Sequence, residues 1–389
     1  SVATYGIEEV LEALESMVTY RTTMWEKTRT FEKMFGEKFG GEAVMVISGS
    51  SADLLIAFAL HERSGGPLHS GDEILIPAVT WPTHLWAALM CGYSAVLVDV
   101  DPATMNIDFV DLESKITPRT RAISLVHLMG NPVNMDKISD LCRRHDLLLI
   151  EDCCESLGAT WKGQYVGTFG VASAFSFFFS HHITTMEGGM ILTQDPDFAE
   201  RLRLLRAHGW SRNLVTPPDT TEGLDPRYTF LNWGFNVRPT ELQAGFGIVQ
   251  LGRVDEFQAA RKRNAAVAQC RLESHKSWIS LMKVPFEGEC SWFALPILIN
   301  QGSPISRDRL AAFLEERGVE TRPVVTGNLA RHPATLRFSD VLATGSLPGA
   351  DAVHERGLYI GIHPVESETA VNQVFDLFDE LVRQVVQEG

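Results

Sequence analysis

Apolar positions recur every three to four residues through residues 6–39, with charges between them, which predicts two helices. Beyond residue 40 the pattern changes. Short apolar, β-rich runs predict strands at Ala43–Ile47, Glu73–Pro77, Ala95–Val100, Ala122–Leu128, Leu147–Glu151, Ala174–Phe179 and Gly189–Leu192. Helical spacing between them predicts helices at Ser51–Glu62, Pro82–Met90, Met135–Arg144 and Pro196–Ala207. Apolar strands alternating with helices imply an α/β fold, with a mainly parallel sheet covered on both faces. Arg212–Asn236 is richer in Pro, Asp, Thr and Gly and reads as a long loop of the functional kind. A helix from Pro239 to about Arg261 follows. From about Arg271, strands around Ser291–Ile299 and Val319–Pro323, with helices at Ser306–Arg317 and the C-terminus, predict a smaller α+β domain. The expected division is a large domain over 1–260 and a smaller one over 261–389.

Composition narrows the class. The chain has 389 residues, 45% hydrophobic and 21% charged, enough for a large core or two domains. No apolar run approaches the roughly 20 residues that a bilayer span requires. The opening SVATYGIEEV lacks the basic flank and apolar stretch of a secretory signal. A cytoplasmic setting without membrane association is expected. The net charge of −15 argues against general nucleic-acid binding, so an anionic substrate needs a local cluster of arginines. Cys91, Cys142, Cys153, Cys154, Cys270 and Cys290 show no CxxC pair and no zinc or cluster spacing, and are expected to be buried free thiols.

Several stretches carry chemistry. Ser48-Gly49-Ser50-Ser51-Ala52 lies between a predicted strand and a predicted helix. Small residues there admit a phosphate, and the helix N-terminus offers free N–H donors; an ordinary cap by Ser50 or Ser51 is the plainer alternative. Trp81 follows a strand, at the sheet end where ligands bind, and can stack on a flat ring; a packed loop aromatic would look the same. The strand ending in Glu151-Asp152 offers an acid that can pair with a protonated ring nitrogen, with Glu155 in reach of the same pocket. A helix cap or a metal-site acid is the alternative for Asp152. Arg212, Arg238 and Arg322 sit in Gly/Pro/aromatic surroundings and are candidates for bidentate binding of phosphate or sugar oxygens, against surface salt bridging. Finally, an aromatic run from Ser176 ends at Ser180, His181 and His182 begin a turn, and Glu187-Gly188-Gly189 leads back into a strand.

Ser180-His181-His182-Ile183-Thr184-Thr185-Met186-Glu187-Gly188-Gly189, the stretch 206–214 (RAHGWSRNL), Asn236-Val237-Arg238-Pro239 and the stretch 322–328 (RPVVTGN) together resemble the DegT/DnrJ/StrS family of nucleotide-sugar aminotransferases, over nearly all of the chain. The resemblance implies fold type I of the pyridoxal-phosphate-dependent transferases, the aspartate aminotransferase fold. In that family a lysine precedes the Glu-Gly-Gly by about six residues. Counting back from Glu187 gives His181, and no lysine occurs between Lys162 and Lys262. A transaminase needs that lysine to carry the cofactor as a Schiff base and to shuttle a proton. Imidazole can perform only the second task. The same exchange marks the family's pyridoxamine-phosphate-dependent sugar 3-dehydratases, and the motifs are most similar to the branch acting on GDP-4-keto-6-deoxy-D-mannose in the colitose pathway.

The resemblance further implies roles. Ser50 and Ser51 would hold the cofactor phosphate with Ser176 near it, Trp81 would stack on the ring, Asp152 would pair with its nitrogen, and Glu155 would share the pocket. Asn236 would reach the phosphate of a neighbouring subunit's cofactor. His208, Arg212, Arg238 and Arg322 would line the substrate side, and His181 would be the catalytic base. A homodimer with shared active sites, pyridoxamine 5′-phosphate and pyridoxal 5′-phosphate as cofactor, and L-glutamate giving 2-oxoglutarate are implied as well. No metal is expected, and no iron–sulfur cluster, because the cysteine set of the CDP-sugar branch is missing. The alternatives are a 4-aminotransferase, which lacks its lysine; a non-catalytic binding homologue, in which Trp81, Asp152, Ser176 and Arg238 have no reason to persist; and a metal hydrolase using His181 and His182, which lack HExxH-type spacing.

Overall fold

The computed structural model describes residues 4–214, 223–365 and 367–388. Helices α1 (Ile7–Val18) and α2 (Glu26–Phe39) open the chain. Strands β1 (Glu42–Val46), β2 (Glu73–Pro77), β3 (Ser94–Val98), β4 (Thr120–Val126) and β5 (Leu148–Asp152) follow, joined through α3 (Gly49–Leu60), α4 (Thr83–Met90), α5 (Phe109–Ser114) and α6 (Met135–His145). A small hairpin, β6 (Thr160–Trp161) and β7 (Gln164–Tyr165), precedes β8 (Ala172–Ser176), β9 (Gly189–Thr193) and α7 (Pro196–Leu205). Helices α8 (Glu241–Gly252) and α9 (Val254–Leu272) lead to β10 (Ile279–Leu281), β11 (Gly288–Glu289), β12 (Ala294–Ile299), α10 (Arg307–Glu315), β13 (Thr321–Pro323), β14 (Leu342–Ala343), α11 (Pro348–Arg356), β15 (Gly357–Gly361) and α12 (Glu368–Glu388).

The large sheet runs in the order β1-β9-β8-β5-β4-β2-β3-β14, antiparallel at β1/β9 and β9/β8 and parallel elsewhere. Strands β2 and β9 are buried along their whole length, as their apolar runs require, with Glu73 and Thr193 the polar residues at their ends. An antiparallel sheet, β10-β12-β15-β13, is built from residues beyond α9, while β14 returns to the large sheet. Among the described residues no helix is long and apolar enough to cross a membrane.

Two predicted elements end differently. The strand expected over Ala174–Phe179 stops at Ser176, because Phe177 turns to donate its N–H to Gly188 O and accepts from Thr185 N–H. The helix expected over Pro239–Arg261 is two helices that part after Gly252, and the second continues to Leu272. Phe177 then joins Phe31, Phe35, Phe39 and Phe175 in an aromatic cluster that fastens α2 to β8, with ring centroids 4.6–6.3 Å apart. The edge strand β1 is covered by an ion pair. Glu32 accepts the Met45 N–H at 2.8 Å, and Arg206 donates to Met45 O at 2.5 Å and to Glu32 at 2.6 Å. This charged pair occupies the edge that another strand would otherwise seek.

Candidate active site

The parallel strands end together, and their C-terminal ends carry the chemistry. Ser48 caps α3, accepting the Ser51 N–H at 3.1 Å and pairing with the Ser51 hydroxyl at 2.9 Å. The cap is therefore Ser48 rather than Ser50 or Ser51, and Ser50 lies exposed on the first turn. Gly49 brings this turn against β8: a Cβ on it would lie 2.6 Å from Ser176 Cβ and 2.9 Å from Cys154 Sγ. Gly189 serves the same approach from β9, where a Cβ would lie 2.3 Å from Ser48 O. The Glu-Gly-Gly motif thus lets two strand ends close around the start of α3.

Beneath that turn lies a buried charged cluster. Asp152, at the end of β5, accepts the Cys154 N–H through Oδ1 at 2.6 Å and the His84 Nε2–H through Oδ2. His84 Nδ1 pairs with Ser124 Oγ on β4 at 2.9 Å. Asp53, on α3, accepts from Thr83 Oγ1 at 2.8 Å. Asp53, His84 and Asp152 are all buried, and each offers an atom within 4.8 Å of the others. Burial opposes a charged His84, but Asp152 and Asp53 overcome it and raise its pKa to about 9. Burial likewise opposes an ionised Asp152, and His84 overcomes it, holding this carboxyl below the usual range. Both histidine nitrogens are engaged, so the trio is an ion-pair cluster. Glu151, in contrast, faces structure: it accepts from the backbone of Gly167, Phe169 and Gly170 at 2.7–2.8 Å and meets His127 at 3.1 Å.

Glu155 is half-buried within electrostatic reach of Asp152 and His84. It accepts the Met129 N–H at 2.9 Å, and burial raises its carboxyl to about 7 against that hydrogen bond. Strand pairing sets Arg322 opposite Tyr359, whose phenol is pushed up by burial and then by Glu155, with Arg322 opposing. Trp81 remains half exposed, as do Phe178 and Phe179.

The two adjacent histidines separate. His182 holds Ser291 O through Nε2 at 3.1 Å and is buried. Both ring nitrogens of His181 are buried without a hydrogen-bond partner among the described residues. Its ring lies 5.2 Å from Phe293 and 6.0 Å from Phe178 between centroids. Burial lowers its pKa to about 4, with Arg261 adding to the effect and Asp152 opposing it. At pH 7 it is a neutral imidazole whose one unprotonated nitrogen can take a proton.

Ser50, Ser51, Trp81, Asp152, Glu155, Ser176 and His181 therefore converge on one end of the sheet. His208, Arg212, Asn236 and Arg238 form a separate group. Val237 O accepts the Ile47 N–H at 3.2 Å, which places the segment beside the strand end before Ser48. Arg238 donates to Asn236 Oδ1 at 2.8 Å, Arg212 lies over the Trp210 ring at 5.3 Å, and His208 is exposed with a left-handed φ of 63°. No hydrogen bond or ion pair among the described residues ties these four to Asp152 or His181. Part of the loop between them, residues 215–222, lies outside the described residues. The expected burial of thiols holds for Cys91, Cys142, Cys153 and Cys290, but Cys154 is half buried and Cys270 is exposed. Sequence reasoning missed Asp53, His84 and Ser124. The available signal was position: Asp53 falls three residues after Ser50 and His84 three after Trp81, each near the start of a helix leaving a strand end.

Residues 4–379 match the DegT/DnrJ/EryC1/StrS aminotransferase family. The chain is 37% identical over 377 residues to GDP-4-keto-6-deoxy-D-mannose 3-dehydratase of Yersinia pseudotuberculosis, covering 95% of each. It is similar to a solved GDP-4-keto-6-deoxymannose-3-dehydratase with a trapped PLP-glutamate geminal diamine (TM-score 0.92, 35% identity, 97% of this chain and 98% of that one). A histidine-to-asparagine mutant of GDP-4-keto-6-deoxymannose-3-dehydratase with bound GDP-perosamine matches with TM-score 0.91 and 34% identity over the same shares.

Proposed function

The chain belongs to the DegT/DnrJ/EryC1/StrS aminotransferase family, and from that premise we propose that it removes the C3 hydroxyl of GDP-4-keto-6-deoxy-D-mannose, with L-glutamate regenerating pyridoxamine 5′-phosphate. His181 carries this reading: where the family has its lysine, a neutral imidazole stands with both nitrogens unengaged, close enough to Asp152 to feel its charge.

The residues present fit the cofactor. Asp152 is an anion for a protonated ring nitrogen, the α3 N-terminus with Ser50 and Ser51 suits a phosphate, and the exposed indole of Trp81 suits a ring face. When bound, the cofactor would supply the amine that joins the C4 ketone, an acidic C4′ proton, and a conjugated ring that holds the electrons freed by removal of that proton and gives them up to expel the C3 oxygen. His181 accepts a proton at a ring nitrogen and then, as imidazolium, delivers it to the departing C3 oxygen, because hydroxide leaves poorly without an acid. Asp152, kept anionic by His84, keeps the ring nitrogen protonated. Ser176 sits beside Gly49 at the phosphate end, and Glu155 shares the pocket. Asn236 serves the phosphate of a neighbouring subunit's cofactor, and His208, Arg212, Arg238 and Arg322 take the sugar nucleotide.

A homodimer with shared sites belongs to the same reading. It is supported by apolar side chains exposed at the rim, Trp81, Phe178 and Phe179, and along α1, Ile7, Leu11, Leu14 and Val18. The reading includes a cytoplasmic setting, a division near residue 260, and no iron–sulfur cluster, supported by thiols scattered through the fold.

The test is incubation with pyridoxamine 5′-phosphate, L-glutamate and GDP-4-keto-6-deoxy-D-mannose, following ammonia release and C3 of the sugar by NMR. A 3-deoxy-4-keto product with ammonia is expected. A retained C3 oxygen with a new C4 amine would mean a 4-aminotransferase, and no turnover across several nucleotide sugars would mean a binding protein.

A further inference from the structure

We propose that Asp53 and His84 are positioning residues for the cofactor's ring nitrogen, and that Asp53 releases a proton when the cofactor binds. The inference rests on the reading of Asp152 given above.

In the cluster as it stands, one imidazolium, His84, faces two carboxylates, Asp53 and Asp152, all within 4.8 Å and all buried. Ionising both acids would leave a net negative charge without water, which is costly. The chain relieves this at Asp53: burial raises its carboxyl to about 7, with Asp152 reinforcing and His84 opposing. Asp152 is the acid that stays ionised, because His84 bonds it directly and Cys154 N–H holds its other oxygen. Ser124 keeps His84 in place in either charge state, since a hydroxyl can accept from Nδ1–H or donate to Nδ1.

A protonated ring nitrogen arriving at Asp152 adds a second cation. Two cations then face two anions, and the Asp53 O–H bond breaks, its proton passing to solvent with no electron transferred. Among the described residues, the other ionisable groups facing the cluster supply no cation. Cys153 and Cys154 are thiols pushed well above their usual range by burial, His181 is neutral, and Glu155 is an acid.

Calorimetry of pyridoxamine 5′-phosphate binding to the full chain, in buffers of different ionisation enthalpy, counts the protons. At about pH 6.5, wild type should release about half a proton per site more than Asp53→Asn, the excess vanishing toward about pH 8.5. The two should bind with similar affinity at about pH 6, and wild type should be about tenfold tighter near pH 8. Thr83→Val removes the hydrogen bond to Asp53 but not its carboxyl, and should keep the release. A purely structural role for Asp53 predicts the opposite, with Thr83→Val and Asp53→Asn weakened alike. Infrared difference spectra of wild type and Glu155→Gln need no change at Asp53, and both should lose a protonated-carboxyl C=O band on binding. Equal proton release by wild type and Asp53→Asn, or no loss of that band, overturns the inference and leaves Asp152 untouched. A wild-type chain that does not bind pyridoxamine 5′-phosphate overturns both.

Discussion

Replacing His181 by asparagine tests the site through stability as well as catalysis. In the fold its nitrogens are buried without partners, and burial, helped by Arg261 against Asp152, lowers its pKa from 6.5 to about 4. Between those values the unfolded chain binds a proton that the folded chain refuses. Stability is therefore complete above the unfolded value and is lost as pH falls toward the folded one. A displacement of that size corresponds to about 3 kcal/mol, at about 1.4 kcal/mol per tenfold change in proton affinity. Asparagine does not titrate, and His182 titrates in both proteins, so its contribution cancels. Urea unfolding of the cofactor-free protein, followed by circular dichroism from about pH 7.5 to about pH 4.5, should show wild type losing about 2 to 3 kcal/mol more than His181→Asn. Parallel stability curves would refute the claim that His181 is buried neutral. In the same variant, pyridoxamine 5′-phosphate should still bind, and dehydration, followed as the 3-deoxy product by NMR, should be lost. Full dehydration by His181→Asn would remove it as the proton carrier.

Three further substitutions separate cradle, edge and scaffold. Gly49→Ala puts a methyl 2.6 Å from Ser176 Cβ; overpacking costs about 1–3 kcal/mol, and calorimetry should show pyridoxamine 5′-phosphate bound about tenfold more weakly. Arg206→Met strands the Glu32 carboxylate at the β1 edge and should cost about 3–5 kcal/mol in urea unfolding, with cofactor affinity of the folded fraction unchanged. His182→Leu leaves Ser291 O without its donor and should cost about 1–3 kcal/mol, yet turnover should persist, the reverse of the His181 variant.

What the sequence disclosed follows from what is local. Strands buried on both faces carry runs of apolar residues, with polar ones only at their ends, so β2, β5 and β9 are legible in the residues themselves. The missing lysine is a count from Glu187. The strands β10 and β15 are less legible, because their partner β12 supplies the reason for their conformation, up to 67 residues away for Ala294 and Gly361. The partners of Asp152 are hidden for the same cause. Asp53 and His84 begin different crossover helices, and nothing in either helix states that they meet under β5. The His181-His182 pair shows the limit most clearly. The two have nearly identical neighbours in sequence, but one finds a carbonyl 109 residues on and the other finds none.

That difference in partners, rather than in residue type, sets the chemistry. His84 lies between two carboxylates and is held cationic, with a pKa of about 9. His181 feels one carboxylate more weakly, feels Arg261 as well, and is held neutral, with a pKa of about 4. At pH 7 the same side chain thus carries opposite protonation states in one pocket. A group that keeps Asp152 ionised must not lose its proton during the reaction, and a group that receives a proton must begin without one. In the proposed reaction, exchanging the environments would leave Asp152 without a counterion and the C3 oxygen without its acid. The acidic end of β5 and the unpartnered imidazole after β8 are therefore one device. Asp152 bears on both, bonded directly to the first histidine and only felt electrostatically by the second.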